Sequence, residues 1–279
     1  LTTSAVVAPI QARGRWYRDE HAFRRKSGHS PVFTMRGWCA LLVLLAVATQ
    51  GSLAQSPIYG NIAEEDYLIG KFDATMHDGI FTQITSIPTN YPMWFRRDAL
   101  NAFERLYKDM MVTNPSLPTN LPIVSALRNL TYQGGIWDRK WQGEYHNISN
   151  PVLRGLGILE YSAMPGTSRH HWGTDLDFYS LENSDFDHGI GKIIYTWMTV
   201  NAYKYGFCQP YTAGRCAGYN EERWHWSYIP VSGGLRHAWN RVYGDTTICK
   251  WASKVDFSGA KSVGIMASAY VNTINPSCL

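Results

Sequence analysis

The sequence has no His-Glu-x-x-His helix, no Gly-x-Ser-x-Gly elbow and no Cys-x-x-Cys pair. Those absences remove the helix-borne zinc proteases, the nucleophile-elbow hydrolases and the paired-thiolate metal sites from consideration. Charge is scarce, at 17% of residues, and no basic stripe interleaves with aromatics, so nothing supports nucleic-acid binding. No apolar run approaches the ~20 residues a helix needs to cross the bilayer core. Internal repeats and low-complexity tracts are absent too.

What is present begins with a leader. Met35-Arg36 precedes an apolar run from Trp38 to Ala48, then polar Thr49-Gln50 and small residues ending at Ala54. This is the layout of a secretory signal peptide over 35–54, with cleavage expected after Ala54 and no stable membrane insertion afterwards. Residues 1–34 precede a plausible initiator Met and are set apart from the mature protein. Residues 1–54 hold seven of the 26 Lys/Arg and two of the 22 Asp/Glu, so the remainder is close to neutral and the sequence pI of 8.7 carries no message about acidic partners. The expected location is secreted or periplasmic.

In that oxidising setting the four remaining cysteines read as two disulfides. Cys208 with Cys216 and Cys249 with Cys278 is the pairing expected, because each closes a local segment.

Residues 55–94 are punctuated by Pro57, Gly60, Gly70, Pro88 and Pro92, and read as an irregular stretch that wraps the domain. The domain itself is expected over 95–279. Leu100, Phe103, Leu106, Tyr107 and Met110 recur at helical spacing from Arg96 to Met111, and Asn114-Pro115 ends the run. Leu121–Ala126, Thr174–Tyr179 and Trp224–Ile229 read as strands, the last stopping at Pro230. Helices are expected over parts of 128–141 and over 192–205, the second closed by Gly206. The order implies a single catalytic domain of α+β class, with a small antiparallel sheet flanked by helices.

Two segments carry chemistry. One runs from Ser168 through His170, His171, Gly173 and Asp175 to Asp177; the other runs from Glu222 through Trp224 and His225 to Ser227. Two imidazoles and a carboxylate from His170, Asp177 and His225 suit one zinc ion with an open fourth position, the arrangement of a catalytic rather than a structural site. Period-two alternation puts Asp175 and Asp177 on one face of their strand. Asp175 is therefore expected either to orient a ligand or to be solvated. Glu222 and His225 fall on opposite parities, which requires the backbone to bend between them.

The pattern Ser-x-His-x-x-Gly-x-x-x-Asp followed by Glu-x-Trp-His resembles the VanY-type D-alanyl-D-alanine carboxypeptidases, of the superfamily that includes lysostaphin and the hedgehog signalling domain. Ser125-Ala126-Leu127-Arg128 with Tyr132-Gln133 is similar to another stretch of that family, as are Trp197, Asn201-Ala202, Tyr205-Gly206-Phe207 and Gly218-Tyr219. The likeness spans roughly 120–230, and Tyr67 to Asp73 resembles some secreted members. It implies zinc on His170, Asp177 and His225, Glu222 as catalytic base, and Arg128, Ser168 and Gln133 as substrate-binding positions. The implied partners are peptidoglycan stem peptides ending in D-Ala-D-Ala. Carboxypeptidase, endopeptidase and dipeptidase activities stay open, as does a non-catalytic zinc module that binds cell-wall peptides.

Two departures stand out. Asp175 occupies a place where the family usually has a small residue, and Ser227 a place often filled by Arg. His171 fits neither spacing and is expected in packing or behind the ligands, while His77, His146, His188 and His237 have no matching neighbours. Ser258-x-x-Lys261 spells a serine-peptidase motif, but no Lys-Thr-Gly or Ser-Asp-Asn follows it.

Overall fold

The computed structural model describes residues 58–245, 251 and 253–279. The upstream segment, the signal-peptide reading and Cys249 lie outside them. In chain order the main elements are α1 (Glu64–Leu68), β1 (Phe81–Gln83), β2 (Trp94–Arg96), α2 (Arg97–Thr113), β3 (Ile123–Ser125), α3 (Leu130–Gln142) and α4 (Pro151–Ile158). There follow β4 (Asp175–Phe178), α5 (Gly189–Asn201), β5 (Phe207–Cys208), β6 (His225–Tyr228), α6 (Ile229–Tyr243), α7 (Ala260–Val263) and α8 (Ala267–Asn272). The architecture is α+β. Strands β1 and β2 form a hairpin, and a four-stranded antiparallel sheet runs in the order β3-β4-β6-β5.

The sheet owes its position to α2. That helix buries Ala99, Leu100, Ala102, Phe103, Leu106 and Met110 along one stripe. It ends where the Asn114 amide donates to the Met110 carbonyl, just before a proline that has no N–H to continue the ladder. Its buried face shares a core with Ile123, Leu176, Phe178, Phe207 and Trp226 from one face of the sheet, and with Ile194 and Met198 of α5. Each large side chain buried there contributes roughly 1.5–3 kcal/mol. Because side chains alternate across a strand, filling this face with Leu176, Phe178 and Trp226 sends Asp175, Asp177, His225 and Ser227 to the other.

A second core joins α1, α6 and α8 through Tyr67, Leu68, Leu235, Trp239 and Val271. The stretch before residue 95 contributes to it with fully buried Tyr67 and Leu68, and carries α1 and β1. Pro230, expected to stop a strand, does so by opening α6: it sits in the first turn, where a missing N–H costs no hydrogen bond.

The disulfide expectation needs correcting. Cys208 pairs with Cys278, 70 residues away with Cα atoms 5.8 Å apart, and Cys216 is exposed and has no disulfide partner among the described residues. Local spacing did not decide the pairing; the return of the chain end did. The Asn275 amide donates to the Pro210 carbonyl and its side chain to the Gln209 carbonyl, which lays residues 275–278 beside β5. Mapping of unreduced peptides should recover the Cys208–Cys278 link. Replacing both cysteines by Ser should cost on the order of 2–4 kcal/mol in denaturant unfolding, as closing so long a loop predicts.

Candidate active site

Strands β4 and β6 bring the site together by register. Asp177 lies directly opposite His225, and Asp175 directly opposite Ser227. His170 arrives from a short 3-10 turn, Arg169–Trp172, that ends at Gly173 with φ 67°, a conformation that favours glycine. Glu222 is held just before β6 by a turn in which the His225 amide donates to the Glu222 carbonyl, and its own amide donates to the Tyr211 carbonyl. That turn is the bend the parity argument required.

The three expected ligands converge. His170, Asp177 and His225 are all buried and offer donor atoms within 4.8 Å of one another. His170 Nε2 lies 3.4 Å from Asp177 Oδ1, and His225 Nδ1 lies 3.3 Å from the same oxygen. The tautomers follow from what sits behind each ring. His170 Nδ1 is 2.7 Å from the Ala126 carbonyl, which can only accept, so Nδ1 carries the proton and Nε2 presents a lone pair. His225 Nε2 is 2.9 Å from Asp175 Oδ2 and is likewise the protonated nitrogen, which turns Nδ1 toward Asp177 and Glu222.

Nδ1 faces two carboxylates. Glu222 Oε2 is 3.1 Å from His225 Nδ1, so positive charge is needed there, either a proton on Nδ1 or a cation bound in its place. The electrostatics agree. Burial opposes a charged imidazole at His225, yet hydrogen bonds to Asp175 and Glu222 and the charge of Asp177 raise its pKa to about 9. Burial also opposes ionisation of Asp177, but the neighbouring histidines and Arg128 hold it down at about 2. For Glu222 burial wins, and its pKa is raised above the ordinary carboxylate value.

Asp175 has no solvent exposure, so the solvated alternative does not hold. Its Oδ2 accepts from His225 and, at 2.8 Å, from Arg169 Nε, while its Oδ1 accepts from Thr174 Oγ1 at 2.7 Å and Ser227 Oγ at 2.8 Å. Arg169 is the residue that sequence reasoning missed. It is 1% exposed and lies over the Trp172 ring, yet in sequence it occupies a variable slot between two motif residues and gives no signal.

His171 is structural. Its Nδ1 donates to the Arg128 carbonyl at 2.6 Å and its Nε2 accepts from the Gly166 amide at 2.9 Å, so both nitrogens are satisfied and burial pushes its pKa down to about 3. The ring fits because Gly70, at φ 73°, stands against it: a Cβ there would lie 2.4 Å from Nδ1. This contact fixes the Arg128 backbone beside the site.

A cavity of about 610 Å³ opens in front of the ligands, lined by Arg128, Ser168, Tyr211, Tyr219, Glu222 and Trp224 among others. Arg128 Nε is buried and has no hydrogen-bond partner among the described residues. Gln133 is placed differently. It is 1% exposed, is not among the residues lining the cavity, and donates from Nε2 to the Ala163 carbonyl at 2.8 Å, behind the wall that Ala163 lines. Outside the expected set, α3 presents Ile136, Arg139 and Lys140 to the cavity.

Residues 93–231 match the family model described as VanY, D-alanyl-D-alanine carboxypeptidase. A D-alanyl-D-alanine carboxypeptidase of Enterococcus faecalis is 32% identical over 119 residues, which cover 41% of this chain and 42% of that protein, so the match spans less than half the length of that relative. Among solved structures, VanYB in complex with D-alanine-D-alanine is 20% identical, covering 57% of this chain and 81% of its own, with a TM-score of 0.44. The LdcB LD-carboxypeptidase is 21% identical, covering 63% and 78%, with a TM-score of 0.42. Residues 93–231 of this chain are a domain of the VanY, D-alanyl-D-alanine carboxypeptidase, family.

Proposed function

We propose that the chain is a zinc-dependent D,D-carboxypeptidase that removes the terminal D-alanine from peptidoglycan stem peptides, acting outside the cytoplasm after export. The observation that carries this reading is the unsatisfied pair at the heart of the site. Among the described residues His170 Nε2 and Asp177 Oδ1 are buried without a hydrogen-bond partner, although buried polar atoms are nearly always paired. Four donors ~2.0–2.1 Å from a zinc ion lie about 3.3 Å from one another. The separations of 3.4 and 3.3 Å on either side of Asp177 Oδ1 fit that shell, and two imidazoles with one carboxylate are a donor set that zinc takes.

Zinc there would supply Lewis acidity, which makes water a competent nucleophile near neutral pH and draws charge from the scissile carbonyl. The protein's own groups do the rest. Glu222 takes the proton of the attacking water and returns it to the leaving amine; its raised pKa suits a group that must both accept and give. Arg128 meets the substrate's terminal carboxylate with a planar fork of donors, one of which, Nε, has no other partner among the described residues. With the carboxylate held there, the bond presented to the ligand triad is the last one of the peptide.

The reading is tested by mass spectrometry of products from zinc-loaded protein and defined muropeptides. Pentapeptide stems should shorten to tetrapeptides with release of one D-alanine per chain. Release of intact D-Ala-D-Ala would make the enzyme a dipeptidase instead, and cleavage within cross-bridges an endopeptidase. Zinc binding with no product from any muropeptide would point to a binding module.

A further inference from the structure

We propose that Asp175 is the positioning residue for the metal ligand His225. The inference rests on the zinc reading of the site and adds to it a residue that touches the ligand from behind. Asp175 lies directly opposite Ser227 on the neighbouring strand, so the two side chains meet behind the ligand ring.

The geometry assigns each atom of the carboxylate a task. Oδ2 sits 2.9 Å from His225 Nε2, which fixes the ring angle and the tautomer and leaves Nδ1 as the donor toward the metal. The same oxygen is held at 2.8 Å by Arg169 Nε, and the other by Ser227 and Thr174, so the acceptor cannot swing away from the imidazole. Ser227 in turn lies 3.0 Å from Ser232 Oγ on α6, which ties the assembly to the second core. Arg169 takes the part of counter-charge. A carboxylate with no exposure would be costly alone, but beside a guanidinium it stays ionised and acceptor-only, so the His225 nitrogen that faces it must carry the proton.

A merely structural role, in which Asp175 serves only to neutralise Arg169, predicts something else. Removing the carboxylate would then lower stability and leave metal affinity alone. Asp175→Asn keeps the shape of the side chain, loses its charge and weakens its hold on Nε2. In folded variant protein, zinc affinity measured by competition with a chromophoric chelator should fall by about 10- to 100-fold, as for other removed partners of ligand histidines. The cobalt-substituted variant should also show an altered visible spectrum, because the angle of a ligating ring will have changed. Unchanged zinc affinity in the folded variant would overturn the proposal. Should the variant fail to fold, the zinc-loaded wild-type protein decides. With 15N-labelled histidine, His225 should be the Nε2–H tautomer with a slowly exchanging proton, and His170 the Nδ1–H tautomer. A rapidly exchanging Nε2 proton, or the reverse tautomer at His225, would reject the positioning role. Wild-type protein that binds no zinc at all would instead defeat the zinc reading on which the inference rests.

Discussion

Glu222→Gln should leave zinc content and fold intact and lower hydrolysis by roughly 100- to 10,000-fold, the range that loss of a general base produces. The amide is nearly isosteric, so what disappears is the capacity to take a proton. The backbone contacts that fix the turn do not involve the side chain: the Glu222 amide donates to Tyr211 and its carbonyl accepts from Gln209 Nε2 at 3.0 Å. Stopped assays on pentapeptide, with metal content measured on the same sample, separate loss of base from loss of metal. Turnover near the wild-type rate with zinc in place would move the base to another residue.

His170→Ala, Asp177→Ala and His225→Ala should each reduce bound zinc from about one per chain to near none, because three protein donors leave no redundancy. Elemental analysis reads this directly, and thermal unfolding gives a second readout. Zinc at ~100 times its Kd should stabilise wild-type protein by about 2.7 kcal/mol, while the three variants should unfold at the same temperature with and without it. Full occupancy in all three would remove the ligand assignment.

Much of this site is legible in the sequence because its strands obey a two-residue period. Leu176 and Phe178 must face the core that α2 builds, and that alone orients Asp175 and Asp177 to the opposite side. The helix over 97–113 is equally plain, since six buried side chains repeat at its own spacing and a proline follows its cap. What the sequence hides are contacts between residues far apart in the chain. Whether Asp175 is solvated or buried depends on Arg169 and Ser227, and no periodicity links position 169 to position 227. The pairing of Cys208 with Cys278 depends on where the chain end returns, which the hydrogen bonds of Asn275 fix and local spacing does not. Gln133 shows the complementary limit: a motif match gives its identity, but only the fold shows that it holds the Ala163 carbonyl behind the cavity wall.

The central claim is that this site cuts the last peptide bond of a substrate whose free carboxylate meets Arg128. It is tested most directly by comparing a D-Ala-D-Ala pentapeptide with the same peptide amidated at its C-terminus, each with zinc-loaded protein. The amide removes the charge that the half-buried Arg128 guanidinium would pair with, a contact worth ~1.5–3 kcal/mol. The account predicts release of a single D-alanine from the free peptide and a rate at least about 10-fold lower on the amide. Equal rates on the two peptides would contradict it.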